Sequence, residues 1–238
     1  MIANLRLGYR VAALLVALLA GLLLHGLWRL LRRPSPWPRR FLAAVAQIVG
    51  ARVRVLGTPC AGNVVFLSNH LSWIDILAIA GATGSAFVAK GELRGVPLVG
   101  WLCTLNRTIF VTREDRLQVT AQIDRLRAAI ATGQPVTLFP EGTTGDGTTL
   151  LPFKAALLAA LDPPPPGVVV QPIRIDYGEA ADLAWVGEEP GLAHALRVLR
   201  RRGRFAVTLR LLTPFDPAAA GGRKAIAAQA RAAIVDAG

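Results

Sequence analysis

Seven short apolar runs between residues 52 and 212 limit what this chain can fold into. They are Arg52–Leu56, Asn63–Leu67, Ala86–Ala89, Thr108–Thr112, Val136–Phe139, Val168–Ile175 and Phe205–Leu212, all at most eight residues long. Their short length and their β-branched and aromatic content mark them as strands, and the stretches between them carry apolar residues at helical spacing. Val119, Ile123, Leu126 and Ile130, for example, follow the spacing of one buried helical stripe that stops near Gly133. Strands alternating with helices predict an α/β fold, a mostly buried central sheet flanked by helices. No internal repeat interrupts the pattern.

One strand-to-helix junction carries chemistry. The run Asn63–Leu67 is followed by Asn69-His-Leu-Ser-Trp-Ile-Asp75, and Ile76–Ile79 then continues with helical spacing. His70 therefore falls on the turn. Five residues along a regular helix amount to about 140° of net rotation, so His70 and Asp75 cannot meet within one helix. With His70 on the turn and Asp75 in the first helical turn, the carboxylate reaches one ring nitrogen and leaves the other to take a proton. That is a base with an orienting partner. Further on, Gln134–Phe139 leads into Pro140–Gly147, a glycine-rich loop whose amides can approach an anion or a glycerol oxygen. It is not a P-loop, because G-K-[ST] is missing.

Four blocks in order, covering about residues 60–175, resemble the membrane-bound glycerolipid acyltransferases typified by 1-acylglycerol-3-phosphate acyltransferase. Asn69–Asp75 matches N-H-x-S-x-x-D, Arg107–Arg113 looks like G-x-x-F-I-D-R, Phe139–Thr143 matches F-P-E-G-T, and Val168–Ile173 resembles the later apolar-proline block. Phe87–Leu93, with Pro97 and Gly100–Leu102, is similar to the family's linking segment. The resemblance implies a glycerolipid acyltransferase fold and transfer of a fatty acyl group from a thioester, on coenzyme A or acyl carrier protein, to the free hydroxyl of a lysophospholipid. Lysophosphatidic acid, giving phosphatidic acid, is the expected acceptor, with lyso-ornithine lipid as the alternative. The thioester is a co-substrate; no cofactor and no metal are implied. His70 and Asp75 are the implied catalytic pair, and Asn69, Ser72, Arg113, Glu141, Gly142 and Thr143 the implied substrate-binding residues.

The chemistry suits these residue types. Neutral histidine, with a reference pKa of about 6.5, can take the hydroxyl proton, and a thiolate of pKa about 8.5 leaves without strong acid assistance. Backbone amides near His70 or Gly142 are candidates for holding the oxyanion. By resemblance Arg113 meets a phosphate, a task for which its guanidinium fork is suited, and Glu141 binds a substrate hydroxyl or supports Arg113; the two are expected to converge from neighbouring strand ends. Three positions depart from the family pattern: Arg107 stands for a glycine, Thr112 for an aspartate, and Thr144 for the arginine usual after E-G-T. Losing that arginine removes a candidate phosphate ligand, which leaves two readings: Arg107 replaces it, or the acceptor carries no phosphomonoester, as is the case for lyso-ornithine lipid.

Residues 1–36 read as a membrane anchor and linker, and 37–238 as the acyltransferase domain. Val11–Trp28 is nearly continuous apolar sequence, about 27 Å long as a helix, marginal for a hydrocarbon core of roughly 30 Å. Arg6 and Arg10 precede it and Arg29, Arg32, Arg33, Arg39 and Arg40 follow, so the positive-inside bias puts the catalytic domain on the cytoplasmic side. The small-x-small site Ala44–Ala46 lies beyond those arginines, so the segment is expected to be retained rather than cleaved. Whether it spans the bilayer or lies in its interface stays open.

The net charge of +12 combined with 53% hydrophobic residues points to a phospholipid surface; no nucleic-acid-binding motif accompanies it. Cys60 and Cys103 have no metal or redox spacing. His194 reads as a surface or half-buried helix residue. Two rival classes remain: a hydrolase with Ser72 as nucleophile, disfavoured by the lack of a G-x-S-x-G elbow, and a non-catalytic lipid-binding protein.

Overall fold

The computed structural model describes residues 1–111, 116–178 and 181–238, with backbone alone at 116–119 and 181. The elements run α1 (Ile2–Leu30), α2 (Trp37–Val49), β1 (Ala51–Leu56), β2 (Val64–Ser68), α3 (Ile74–Thr83), β3 (Ala86–Lys90), α4 (Val99–Leu105), β4 (Ile109–Val111), α5 (Arg116–Ala131), β5 (Val136–Leu138), β6 (Val169–Asp176), α6 (Gly191–Arg200), β7 (Phe205–Leu211) and α7 (Arg223–Asp236). Short 3₁₀ turns at Gly91–Gly95, Ala155–Leu161 and Ala181–Leu183 complete it.

The strands form one mixed sheet in the order β1-β7-β6-β2-β5-β3-β4. All pairings are parallel except β6 with β7. Strand β2 is central and buried along its whole length. Its alternation divides the core: Val64 and Phe66 join Ile74, Leu77 and Ile79 on the α2/α3 face, while Val65 and Leu67 join Leu126, Ile130, Leu158 and Ile226 on the other. Each such fully buried side chain contributes about 1.5–3 kcal/mol. A central parallel strand delivers its C-terminal end to the crevice above the sheet, the usual place for a ligand site in α/β folds.

Helix α1 is bound to the rest of the chain over most of its length. A stripe of half-buried residues (Arg6, Ala13, Ala17, Gly21, Leu24, Trp28), with Arg10 buried, recurs at helical spacing. At the start of the helix, the Arg10 guanidinium donates to the carbonyls of Val198 (2.9 Å), Leu199 (3.1 Å) and Gly203 (3.2 Å), and Arg6 donates to Arg200 O (2.6 Å). These carbonyls belong to the C-terminal end of α6 and the turn after it, where unsatisfied acceptors and the negative end of the helix dipole favour a cation. Gly50 lets this happen: at φ +109° it ends α2, and a Cβ there would sit 3.0 Å from Arg10 Nη2.

At its other end, α1 turns through Pro34–Pro36 into α2, which runs back along it. A Cβ on Gly21 would stand 3.5 Å from the Phe41 ring, Trp28 and Trp37 meet edge to face, and His25 Nδ1 is 2.8 Å from Ser35 Oγ. On the outward side Leu15, Leu19, Leu23, Leu27 and Leu30 stand exposed. Helix α1 is long and apolar enough to cross a membrane by length and composition.

Candidate active site

Asn69–Trp73 connects β2 to α3, and hydrogen bonds fix nearly every residue of it. Asn69 Nδ2 donates to Ile175 O at 2.9 Å and Ile175 N donates to Asn69 Oδ1 at 2.8 Å, so a side-chain amide prolongs the β2–β6 pairing past the strand end. Leu71 O accepts Trp185 N at 2.8 Å. Ser72 Oγ accepts Ile74 N at 3.1 Å, giving the first turn of α3 a local acceptor for an unpaired amide.

Asp75 lies in that first turn and is fully buried. Its Oδ2 accepts His70 Nδ1 (2.8 Å), Leu71 N (2.6 Å) and Ser72 N (3.0 Å), and its Oδ1 accepts Tyr177 Oη–H (2.5 Å). A carboxylate only accepts, so the ring proton of His70 belongs on Nδ1 and the lone pair on Nε2. The imidazole keeps 18% of its surface accessible and stacks on Phe139, ring centroids 3.9 Å apart at 12°. Phe139 stacks in turn on Phe87.

The glycine-rich loop after β5 closes over this connection. Glu141, buried, accepts His70 N–H on Oε1 at 2.7 Å and Leu151 N–H on Oε2 at 2.9 Å. Burial pushes its carboxyl up from the ordinary glutamate value, the two amides and His70 opposing. Gly145 N donates to His70 O at 2.7 Å. Gly142 adopts φ +71° and donates to Phe139 O at 3.0 Å, and a Cβ on it would stand 3.1 Å from Lys154 Nζ. Thr143 is exposed, and Thr144 Oγ1 donates to Trp185 O.

His70, Asp75, Ser72, Glu141 and Gly142 thus come together, with Asn69 beside them. Arg113 and Thr112 lie outside the described residues. The expected neighbouring strand ends are not neighbours: β3 separates β4 from β5, because sheet order follows packing rather than chain order. Asn69 and Ser72, read as substrate-binding, spend their side chains on internal bonds. The amides of His70, Leu71, Ser72, Gly142 and Gly145 each already donate within the protein. Arg107, in the family's glycine position, sits at φ +58°, the left-handed region that glycine adopts without strain.

Two residues escaped sequence reasoning. Tyr177 follows β6 directly, just beyond the apolar run that ends at Ile175; Lys154 hides in the apolar stretch Leu151–Leu161. His194, expected at or near the surface, is buried. Trp73 Nε1 donates to its Nδ1 (2.9 Å) and its Nε2 lies 3.0 Å from Leu183 O, because the Leu183–Trp185 segment and Trp73 pack over α6.

The acyltransferase family profile matches residues 51–176, from the start of β1 to the end of β6. Lyso-ornithine lipid O-acyltransferase of Rhodobacter capsulatus is 32% identical over 96% of this chain and 88% of that protein; its counterpart in Brucella abortus is also 32% identical, over 95% and 91%. The 1-acyl-sn-glycerol-3-phosphate acyltransferase of Neisseria gonorrhoeae is 37% identical over 50% of this chain and 48% of that one. In fold, the chain is similar to the crystal structure of the 1-acyl-sn-glycerophosphate acyltransferase PlsC from Thermotoga maritima, with a TM-score of 0.64 and 24% identity over 84% of this chain and 76% of the other.

Proposed function

The chain belongs to the acyltransferase family, and we propose that it moves a fatty acyl group from an acyl thioester to the free hydroxyl of lyso-ornithine lipid, with His70 as the base. It is a glycerolipid acyltransferase of the lyso-lipid type. The observation that carries the chemistry is the 2.8 Å bond from His70 Nδ1 to Asp75, which leaves Nε2 as the free basic nitrogen. Nε2 takes the acceptor hydroxyl proton as the oxygen attacks the thioester carbonyl; Asp75 stabilises the imidazolium; collapse of the tetrahedral intermediate expels the thiolate of coenzyme A or acyl carrier protein, which recovers the proton. Ser72, fully buried with its hydroxyl committed to Tyr177, is poorly placed as a hydrolase nucleophile.

For the acceptor, the relatives matched along nearly the whole chain are named for lyso-ornithine lipid, and the Thr144 departure, which removes a candidate phosphate ligand, fits an acceptor without a phosphomonoester. Lys154, over Gly142, supplies a cation to the same loop and suits a carboxylate-bearing headgroup. Lysophosphatidic acid is the second reading, favoured by the similarity to the Neisseria enzyme. A panel offering both acceptors with one acyl donor decides between them. Acylation of lyso-ornithine lipid at the higher kcat/KM is expected, and acylation of lysophosphatidic acid alone would overturn the choice. His70→Ala should lower kcat at least about a hundredfold with either acceptor.

Membrane association follows from α1 and from the lipid acceptors of the relatives. With its inner stripe packed on the domain, α1 is best read as lying in the interface of one leaflet, leucines towards the acyl chains. The arginines after it favour the cytoplasmic face.

A further inference from the structure

The Tyr177 hydroxyl lies at the back of the His70–Asp75 pair, on a residue only 2% exposed. It hydrogen-bonds two groups, Asp75 Oδ1 at 2.5 Å and Ser72 Oγ at 2.9 Å. The proton directions follow by elimination. Asp75 has only acceptors, so the phenol gives it its single proton; Ser72 must then donate to the phenol oxygen, while Ser72 Oγ accepts Ile74 N. The result is a directed chain: Ser72 Oγ–H to Tyr177, Tyr177 Oη–H to Asp75, and His70 Nδ1–H to the other oxygen of Asp75.

We propose that Tyr177 is a positioning residue for the acyl-transfer site, holding the Asp75 carboxylate in register with His70 and setting how strongly that carboxylate holds the imidazolium. The inference rests on the reading of His70 as base. Its physical content is a division of charge. Among the described residues, Asp75 Oδ1 has one donor where Oδ2 has three, so removing the phenol leaves Oδ1 without a partner in a dry site, where an unmade bond to a charged group is costly. A carboxylate less satisfied by its own donors attracts the imidazolium more strongly. Burial, together with the Asp75 charge, also pushes the phenol well above its ordinary value, so it stays a donor across the working range. Among the described residues, the titratable groups with contacts to the pair are Glu141, through the His70 amide, and Tyr177.

Tyr177→Phe tests this, since it keeps the ring packed near Phe205 and deletes only the hydroxyl. The expected result is a kcat lowered roughly 5- to 30-fold with acceptor and donor KM nearly unchanged, and an acid limb of kcat/KM moved up by about one pH unit. A kcat and an acid limb equal to those of the unaltered enzyme would overturn the proposal, whatever the melting temperature does. A purely structural role would lower the melting temperature and leave the limb in place, which also overturns it.

A second perturbation has the opposite sign and does not depend on the variant folding. The chain has two tyrosines, Tyr9 and Tyr177, so global incorporation of 3-fluorotyrosine in a Tyr9→Phe background strengthens only the Tyr177 donor. The acid limb should then move down; an unmoved limb counts against the proposal. If His70→Ala retains turnover, the base assignment has failed instead, and that result is distinguishable because it does not involve Tyr177.

Discussion

The backbone N–H of His70 donates to the Glu141 carboxylate at 2.7 Å, joining the turn after β2 to the loop after β5 through one buried bond. The other Glu141 oxygen holds Leu151 N, so a single side chain fixes both His70 and the segment that follows the glycine-rich loop. Glu141 therefore braces the site from behind, whatever it touches in the substrate.

Glu141→Gln tests that brace. Both carboxylate oxygens face N–H donors, and an amide can accept with only one of its two ends, so one backbone amide loses its partner and meets a competing donor. An unsatisfied buried amide costs about 1–3 kcal/mol. We expect kcat/KM to fall roughly 5- to 150-fold, with a comparable loss in thermal stability. An activity within twofold of the unaltered enzyme would refute the role.

Lys154→Met keeps the length of the side chain and removes its charge. If the amine over Gly142 meets an anionic headgroup, acceptor KM should rise about tenfold while kcat and thioester KM hold, the signature of lost ground-state binding. A change confined to kcat would contradict it.

The pH dependence of folding carries the signature of His194. Burial, with Arg197 adding to it, pushes its pKa below the ordinary histidine value, against the Leu183 carbonyl. The unfolded chain therefore binds the proton more readily, so the contribution of neutral His194 to stability is present above about pH 6.5 and is lost as the pH falls below it. Glu141 acts with the opposite sign, because its raised pKa favours proton uptake by the folded state. Melting temperature followed from pH 7.5 to 5.5 should fall, and the slope should flatten in His194→Phe, despite the lower starting value that the orphaned Trp73 Nε1 implies.

Arg10→Ala should cost about 1.5–3 kcal/mol, because three carbonyls at the end of α6 lose a charged donor. For a chain of this size that is a fall of roughly 4–10 °C in melting temperature. Arg10→Lys should recover part of it, since it keeps the charge at the helix end without the fork. Equal stability of all three proteins would mean that the contact carries no weight.

Much of this architecture was legible in local sequence. The seven apolar runs coincide with the seven strands to within a few residues, because β2, β5 and most of β6, buried on both faces, read as continuous apolar segments, while β1 and β7 carry the alternation of strands with one polar face. The meeting of His70 with Asp75 was legible too, since five residues across a turn is a local constraint. What escaped depends on distant partners. Nothing near Ala51–Leu56 announces that it pairs with Phe205–Leu211, or that the latter runs against β6. Tyr177 reaches Asp75 across 102 residues, and Asn69 and Ile175 pair across 106, so neither contact leaves a mark in a short window. Likewise an arginine just before an apolar run reads as a topology signal, whereas Arg10 is spent on carbonyls 188 or more residues away.

The fastening of α1 along the domain bears on how the enzyme meets its substrates. A catalytic domain on a long flexible tether samples a shell of solution above the bilayer, and its local substrate concentration depends on tether length. Here the link from α1 to α2 is a few residues around Pro34–Pro36, and both ends of α1 are bonded down, so there is no slack. On the proposed interfacial placement of α1, the height of His70 above the leaflet is a fixed property of the fold, and the acceptor arrives by two-dimensional diffusion. Turnover should scale with the mole fraction of acceptor in the lipid surface, and diluting that surface with inert lipid should slow the enzyme even when the bulk acceptor concentration is unchanged.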